Sequence, residues 1–163
     1  MHPTRLLCAV GIGLCSTVAS AAQTAAPAAL SEALRAHVKD ERFDIVTSIR
    51  GLPLGVREGL QTLFGGFSLD IAEPGAAFQA TDVMATPRLP SRRLVAAGCE
   101  TDHCIVYYER GGIAHTWQVA VFRWTPDATR FEWGGIAPGG LATIADVRKA
   151  ILSGAIKGTP KYW

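Results

Sequence analysis

The chain lacks the short motifs that mark the common enzyme families. It contains no G-x-S-x-G nucleophile turn, no H-E-x-x-H metal-binding helix, no Walker phosphate loop and no dinucleotide-binding glycine fingerprint. An excess of charge of one sign is also missing, since 16 basic residues stand against 14 acidic ones. A near-neutral protein has no electrostatic reason to bind nucleic acid or a membrane surface. We therefore predict no catalytic residues, no cofactor and no nucleic-acid partner.

Long apolar runs are absent except within the first 21 residues. Residues 1–5 carry one fixed positive charge, 6–18 are almost wholly apolar, and 19–21 supply the small residues that a signal peptidase recognises. This apolar core is too short to anchor the chain in a bilayer. We predict a signal peptide over 1–21, cleaved near Ala21, and a periplasmic or secreted protein without stable membrane insertion after cleavage.

Cysteine is scarce, and only Cys99 and Cys104 follow the predicted signal. An even number of cysteines in a secreted chain favours a disulfide between them. A metal site built from the two thiolates and His103 is the weaker alternative, because an oxidising compartment would bridge the thiols first. We therefore predict one disulfide and no metal site.

Apolar spacing separates a helical part of the chain from a strand-rich part. After a flexible tail over 22–29, the pattern predicts one domain over 30–163. Helices are predicted near the start and at 144–151, and strands in between. Three early helices are predicted: one that begins at Leu30, one over 43–49, and one from Val56 to Phe64. The predicted strands are 67–71, 93–99, 104–110, 113–124 and 130–134, with a weakly predicted strand over 76–83. Helices at both ends of an antiparallel β-meander of about four to six strands are an α+β fold.

The Gly111-Gly112 pair predicts a two-residue turn in the central hairpin. That turn places Val106 opposite Trp117 and Tyr108 opposite His115, and it directs Glu109 away from His115. One face of the sheet is then core, whereas the other mixes apolar and polar side chains. This mixed face is either solvated or turned towards a ligand, and it carries Tyr107, Glu109, Thr116 and Gln118.

The string Cys99-Glu100-Thr101-Asp102-His103-Cys104 is the most distinctive local motif. A second hairpin places the two cysteines opposite each other, where they are close enough to bridge. One interpretation is a structural staple with an exposed polar loop. The other is a rigid recognition loop that presents Glu100, Asp102 and His103.

This combination resembles the periplasmic inhibitors of vertebrate lysozyme. The shared features are a signal peptide, early helices, an antiparallel sheet, a six-residue cysteine loop containing histidine, and a late helix. The inhibitors present a C-K-P-H-D-C loop that plugs the lysozyme active-site cleft, where the loop histidine meets the catalytic carboxylates. Here Asp102 stands where that motif has histidine and His103 where it has aspartate, while Glu100 replaces lysine and Thr101 replaces proline. The added acidic residues would oppose binding to carboxylates. Separately, residues 108–115 resemble a string found in small secreted bacterial proteins.

Three functional hypotheses follow from these features. The leading one is a non-enzymatic periplasmic binding or inhibitor-like protein that contacts a lysozyme-like or other envelope protein through loop 99–104. The alternative is a small periplasmic ligand-binding protein or hydrolase that uses the mixed sheet face. A structural protein that works by self-association is a third possibility.

Overall fold

Three helices and five strands follow one another in the computed structural model, which describes residues 29–83, 89–157 and 163. The order is α1 (Glu32–Asp40), β1 (Asp44–Val46), a 3-10 turn (Ile49–Gly51), α2 (Leu54–Leu63), β2 (Arg92–Cys99), β3 (His103–Arg110), β4 (Thr116–Trp124), β5 (Thr129–Ala137) and α3 (Ile144–Leu152). The predicted α+β class is confirmed. The predicted signal peptide lies outside the described residues. In the part of the chain that the structure describes, no helix is long and apolar enough to cross a membrane.

The five strands form one antiparallel sheet in the order β1-β2-β3-β4-β5, so each strand pairs with its neighbours in sequence. Helix α2 covers one face, and α1 and α3 cover the other. The α2 face packs Val56 and Leu60 against Val106 and Phe122. The opposite face packs Val38 and Val147 with strand side chains such as Val119. Neither face is open over the middle of the sheet, so the prediction of one mixed, exposed face is wrong.

The predicted helix over 43–49 is also wrong. Asp44–Val46 forms β1, which pairs with Ala97–Cys99 at the edge of the sheet. The side chain of Ile45 remains largely exposed. A strand edge that needs backbone partners overrides the weak helical spacing of this short segment.

No strand forms over 67–71 or 76–83, although both were predicted. Phe67 is fully exposed, and the backbone of this stretch pairs with β2 at a parallel bridge between Ala72 and Arg93. The outer edge of β2 is already paired with β1 over Ala97–Cys99. Beyond β1, the segment runs parallel to β2 at Ala72, where the Ala72 N–H donates to the Arg92 carbonyl and the Leu94 N–H donates to the Ala72 carbonyl.

The β3–β4 register differs from the predicted one by three residues. Val106 lies opposite Ala120, and Tyr108 lies opposite Gln118. The Gly111 N–H donates to the Ser91 carbonyl, so Gly111 continues alongside β2 and the chain turns later. An odd shift moves every β4 side chain to the other face of the sheet. Trp117 therefore lies opposite Glu109 rather than Val106, and it is only partly buried.

The β2–β3 register is correct at its bridged end. Cys99 lies opposite Cys104, and Ala97 lies opposite Val106, as predicted. Further along, a bulge at Val95 shifts the pairing, so that Leu94 rather than Val95 faces Tyr108.

Helix α3 begins and ends as the sequence predicts. Thr143 and Asp146 form a reciprocal capping box, and the helix ends just before Gly154, whose φ is +74°. The helix also holds α1 in place. The Arg148 guanidinium donates to the carbonyls of Val38 at 2.8 Å and Lys39 at 2.9 Å, near the end of α1.

Candidate functional site

The loop between β2 and β3 is closed by a Cys99–Cys104 disulfide, as predicted. Cys104 is buried in the α2-covered core, and Cys99 packs against the same core. His103, one residue earlier than Cys104, directs its side chain to the opposite face of the sheet. The alternative site of two thiolates with His103 is therefore wrong, because the sulfurs are bonded to each other and lie across the sheet from the imidazole.

Helix α1 brings a second imidazole against this loop. His37 Nε2 lies 2.7 Å from Glu100 Oε1 and 3.7 Å from Asp102 Oδ1. The His37 and His103 ring centroids are 4.0 Å apart, with their planes tilted by 44°. The loop also organises itself, since the Asp102 N–H donates to Glu100 Oε1 at 3.1 Å.

Both nitrogens of the His103 ring have carboxylate partners. Nδ1 lies 2.6 Å from Asp102 Oδ1 and 3.4 Å from Glu100 Oε1. On the other side of the ring, Nε2 lies 2.9 Å from Glu132 Oε2 on β5. We refer to His37, Glu100, Asp102, His103 and Glu132 together as the corner cluster.

The corner cluster is recessed. The side chains of His103 and Glu100 are 8 % and 9 % exposed, whereas that of Asp102 is 35 % exposed. The loop therefore does not present all three predicted contact residues as a projecting tip. Instead, α1 covers His103 and Glu100, and Asp102 is the most accessible of the three.

Three carboxylates outweigh the fixed positive charge near the cluster. Arg123 Nε approaches Asp102 Oδ2 at 3.6 Å, and Arg130 Nη2 approaches Glu132 Oε1 at 3.4 Å. Both arginine side chains are more than half exposed, at 51 % and 65 %. Water screens such charges strongly, so the recessed carboxylates keep a negative potential around the imidazoles.

The pKa of the Asp102 carboxyl is held below its usual range. The largest cause is its hydrogen bond with Glu100, followed by an opposing effect of burial. The hydrogen bond and positive charge of His103 lower this pKa further. Asp102 is therefore the ionised carboxylate of the cluster with the best access to solvent.

The four residues of the predicted mixed face do not share a surface. Tyr107 and Glu109 lie on the α1/α3 side, whereas Thr116 and Gln118 lie opposite Arg110 and Tyr108 on the α2 side. Tyr107, Glu109 and Gln118 are buried. The shifted β3–β4 register separates the set.

The buried polar groups of this set have structural partners. The Tyr107 hydroxyl donates to the Pro138 carbonyl at 2.7 Å, and burial raises the pKa of Tyr107 to about 12. Glu109 Oε2 lies 2.9 Å from His115 Nε2, so the prediction that the register separates these two residues is also wrong. Glu109 reaches His115 because Trp117 and Glu109 are directly opposite and His115 precedes the strand.

His37 and Glu132 are not among the predicted site residues. His37 lies three residues after Leu34 and directly before Val38, which are both buried, so it borders the apolar face of α1. This position was a usable signal that the imidazole faces the domain. Glu132 carries no comparable signal, because its proximity to His103 depends on the pairing of three strands.

No protein-family model, curated protein or solved structure matches this chain significantly. The corner cluster itself is therefore the feature that points to a function. Its distinguishing property is that two imidazoles and two carboxylates, from His37, Glu100, Asp102 and His103, place one ligand atom each within 4.8 Å of one another.

Proposed function

We propose that this chain is a non-enzymatic binding protein of the cell envelope whose ligand site is the corner cluster. The observation that carries the proposal is the convergence of three carboxylates on two imidazoles at a recessed, disulfide-closed corner of the sheet. A site of this charge favours a cationic ligand, because the nearby arginines are largely in solvent.

The contacts of the imidazoles suit binding better than nucleophilic catalysis. His37 bonds to Glu100, and His103 bonds to Asp102 and Glu132. Nucleophilic catalysis instead requires an imidazole directed at a hydroxyl or thiol that it can activate. Carboxylate partners hold imidazoles in fixed orientations, which is what a preformed binding site needs.

Three classes of cationic probe test this proposal in ¹⁵N-labelled mature protein with the disulfide intact. The probes are a divalent metal chloride, a lysine-rich peptide and a vertebrate lysozyme, the last of which also tests the inhibitor resemblance through its enzyme activity. We expect at least one probe to give saturable amide shifts centred on residues 37 and 100–103.

Two matched double variants each remove two negative charges, one from the corner cluster and one from a distant groove. Glu100→Gln with Asp102→Asn should abolish the saturable shifts, and Asp102→Asn alone is the milder version if the double variant is unstable. The control pair is Glu58→Gln with Asp127→Asn, two exposed carboxylates that line the groove between α2 and the β4–β5 turn. Saturable shifts that map elsewhere, or that survive both corner variants, would overturn the proposal.

A further inference from the structure

We propose that the corner cluster binds one divalent transition-metal ion of the zinc class. The geometry assigns four ligand atoms: His37 Nε2, His103 Nδ1, Glu100 Oε1 and Asp102 Oδ1. This inference rests on the proposed function, because it identifies the cation that the binding site accepts.

Four of the six distances between these atoms lie between 2.6 and 3.7 Å, and all six are within 4.8 Å. Zinc bonds to nitrogen and oxygen of about 2.0–2.1 Å place neighbouring ligand atoms about 3.3 Å apart. The His103 Nδ1–Glu100 Oε1 and His37 Nε2–Asp102 Oδ1 distances are 3.4 and 3.7 Å. The two shorter distances, 2.7 and 2.6 Å, are hydrogen bonds that an ion would replace by moving each pair apart by less than about 1 Å.

The donor types select the class of ion. Calcium and magnesium take oxygen ligands almost exclusively, and magnesium also requires near-octahedral geometry. Imidazole is a ligand for zinc, copper, nickel and iron. Two imidazoles with two carboxylates therefore favour a transition metal over the alkaline-earth ions.

Glu132 would act as an outer partner of the metal site. With His103 Nδ1 on the ion, the Nε2–H donates to Glu132 Oε2, which lies 2.9 Å away. Metal-bound histidines commonly donate their second ring N–H to a carboxylate, which fixes the ring orientation and raises the basicity of the ligand. Glu132 is thus a positioning residue, and its distance from the other carboxylates is set by β5.

The ion would join elements that come from distant parts of the sequence. Three ligands lie in the loop that the disulfide closes, whereas His37 lies on α1. An ion that binds only the folded arrangement stabilises it by mass action.

Titration calorimetry with zinc chloride on the mature, disulfide-intact protein tests the inference. We expect one ion per chain and a rise in the melting temperature with zinc concentration. His37→Gln should weaken zinc binding at least about tenfold, because it removes a ligand from a partly exposed helix position. His115→Gln is the matched control, since His115 is the other partly exposed imidazole that bonds to a buried carboxylate. It should leave zinc affinity unchanged.

Two further measurements separate a metal site from general negative charge. Cobalt(II) should give the intense visible absorption of a four-coordinate ion, and His37→Gln should remove it. Glu132→Gln should weaken zinc binding about 10–100-fold while the one-to-one stoichiometry is kept.

Equal binding of calcium and zinc, or zinc binding that His37→Gln does not affect, would overturn the metal assignment. If lysozyme or the peptide still gave saturable shifts at residues 37 and 100–103, the proposed cation-binding function would stand without it. If no probe bound at the corner cluster, both the proposed cation-binding function and the metal assignment would be wrong.

Discussion

The two ends of β3 each join histidine to carboxylate, but the bridged end holds three carboxylates and the open end holds one. At the bridged end, closed by the Cys99–Cys104 loop, three carboxylates surround two imidazoles. At the open end, where β3 turns into β4, the single carboxylate of Glu109 has two basic partners. Arg93 Nη2 approaches it at 2.5 Å and His115 Nε2 at 2.9 Å. The proximity of histidine to carboxylate is therefore not enough to define a site.

Aromatic contacts complete the open end. The His115 ring stacks on Trp117 at 4.6 Å with an interplanar angle of 17°, and the Arg93 guanidinium lies 4.5 Å from the centre of the Phe78 ring. Glu109 thus has its charge matched and its side chain buried, which is the arrangement of a structural ion pair. At the bridged end the arginine partners are more than half exposed, and we expect the two ends to respond differently to substitution.

The largest expected loss of stability is at the open end, where Gly111 and Gly112 are neighbours. A Cβ on Gly111 would lie 1.8 Å from the Gln79 carbonyl oxygen, so Gly111→Ala forces two backbone segments apart. We expect a loss of about 3 kcal/mol of unfolding free energy, measured by urea denaturation. Gly112→Ala is the control, because its Cβ would meet nothing within 4 Å and only the φ of +107° opposes it. It should cost about 1 kcal/mol. A larger cost for Gly112→Ala than for Gly111→Ala would contradict this turn geometry.

Removal of the disulfide should have the next largest effect. The Cys99→Ala, Cys104→Ala double variant opens a six-residue loop, and the chain-entropy model gives a loss of about 2 kcal/mol. The open end should keep its structure, which the assigned indole N–H resonance of Trp117 in ¹⁵N-labelled protein would report together with the urea midpoint. Comparison with chemically reduced wild-type protein separates loss of the bond from loss of the sulfur atoms. Loss of the Trp117 signal before global unfolding would show that the two ends are not independent.

Neutralising one carboxylate at each end gives the most direct comparison. Glu109→Gln should cost about 1–2 kcal/mol, a value below that of a fully buried pair because Arg93 and His115 are 30 % and 36 % exposed. Glu132→Gln should cost less than about 1 kcal/mol, because it removes charge from a region that has an excess of it. Thermal unfolding of both variants without added metal tests the ranking. Equal costs would mean that charge balance does not distinguish the ends.

The smallest expected effect is the acid sensitivity of the bridged end. The pKa of Asp102 is lower in the folded chain than its usual value, so folding favours the ionised form. This contribution is present above about pH 4 and is lost as the pH falls through the folded-state pKa. With the Asp102 side chain 35 % exposed, we expect less than about 1 kcal/mol. Between pH 5.5 and pH 3 the wild type should lose more stability than Asp102→Asn. Asp127→Asn, in an exposed turn, should follow the wild type.

The two ends also differ in how well sequence predicts them. The predicted register of the bridged end is right because a covalent bond between Cys99 and Cys104 allows only one pairing of β2 with β3. The predicted register of the open end is wrong because two glycines permit a tight turn without requiring one. Contacts with Ser91 and Gln79 decide where the chain turns. Those contacts come from a segment without regular structure, which periodicity does not describe.

The helices and the meander follow from periodicity and capping, whereas β1 and the corner cluster depend on tertiary contacts. α3 is predictable because Thr143, Asp146 and Gly154 mark both of its ends. The cluster residues of the loop can be predicted from the short sequence 99–104. Its other half, His37 and Glu132, comes from elements 63 residues before Glu100 and 29 residues after His103. A one-residue error in strand register would have moved Glu132 to the other face.

The hydrogen bonds from Arg148 to the end of α1 join two helices that are far apart in the sequence. They span 110 and 109 positions, and they supplement the contacts of α1 with the sheet and with Glu100. Glu100, Asp102 and His103 belong to the β2–β3 hairpin, which its own disulfide closes. His37 depends in addition on a helix at the far end of the described fold. A change in α3 therefore alters the corner cluster through His37 alone, without touching the loop.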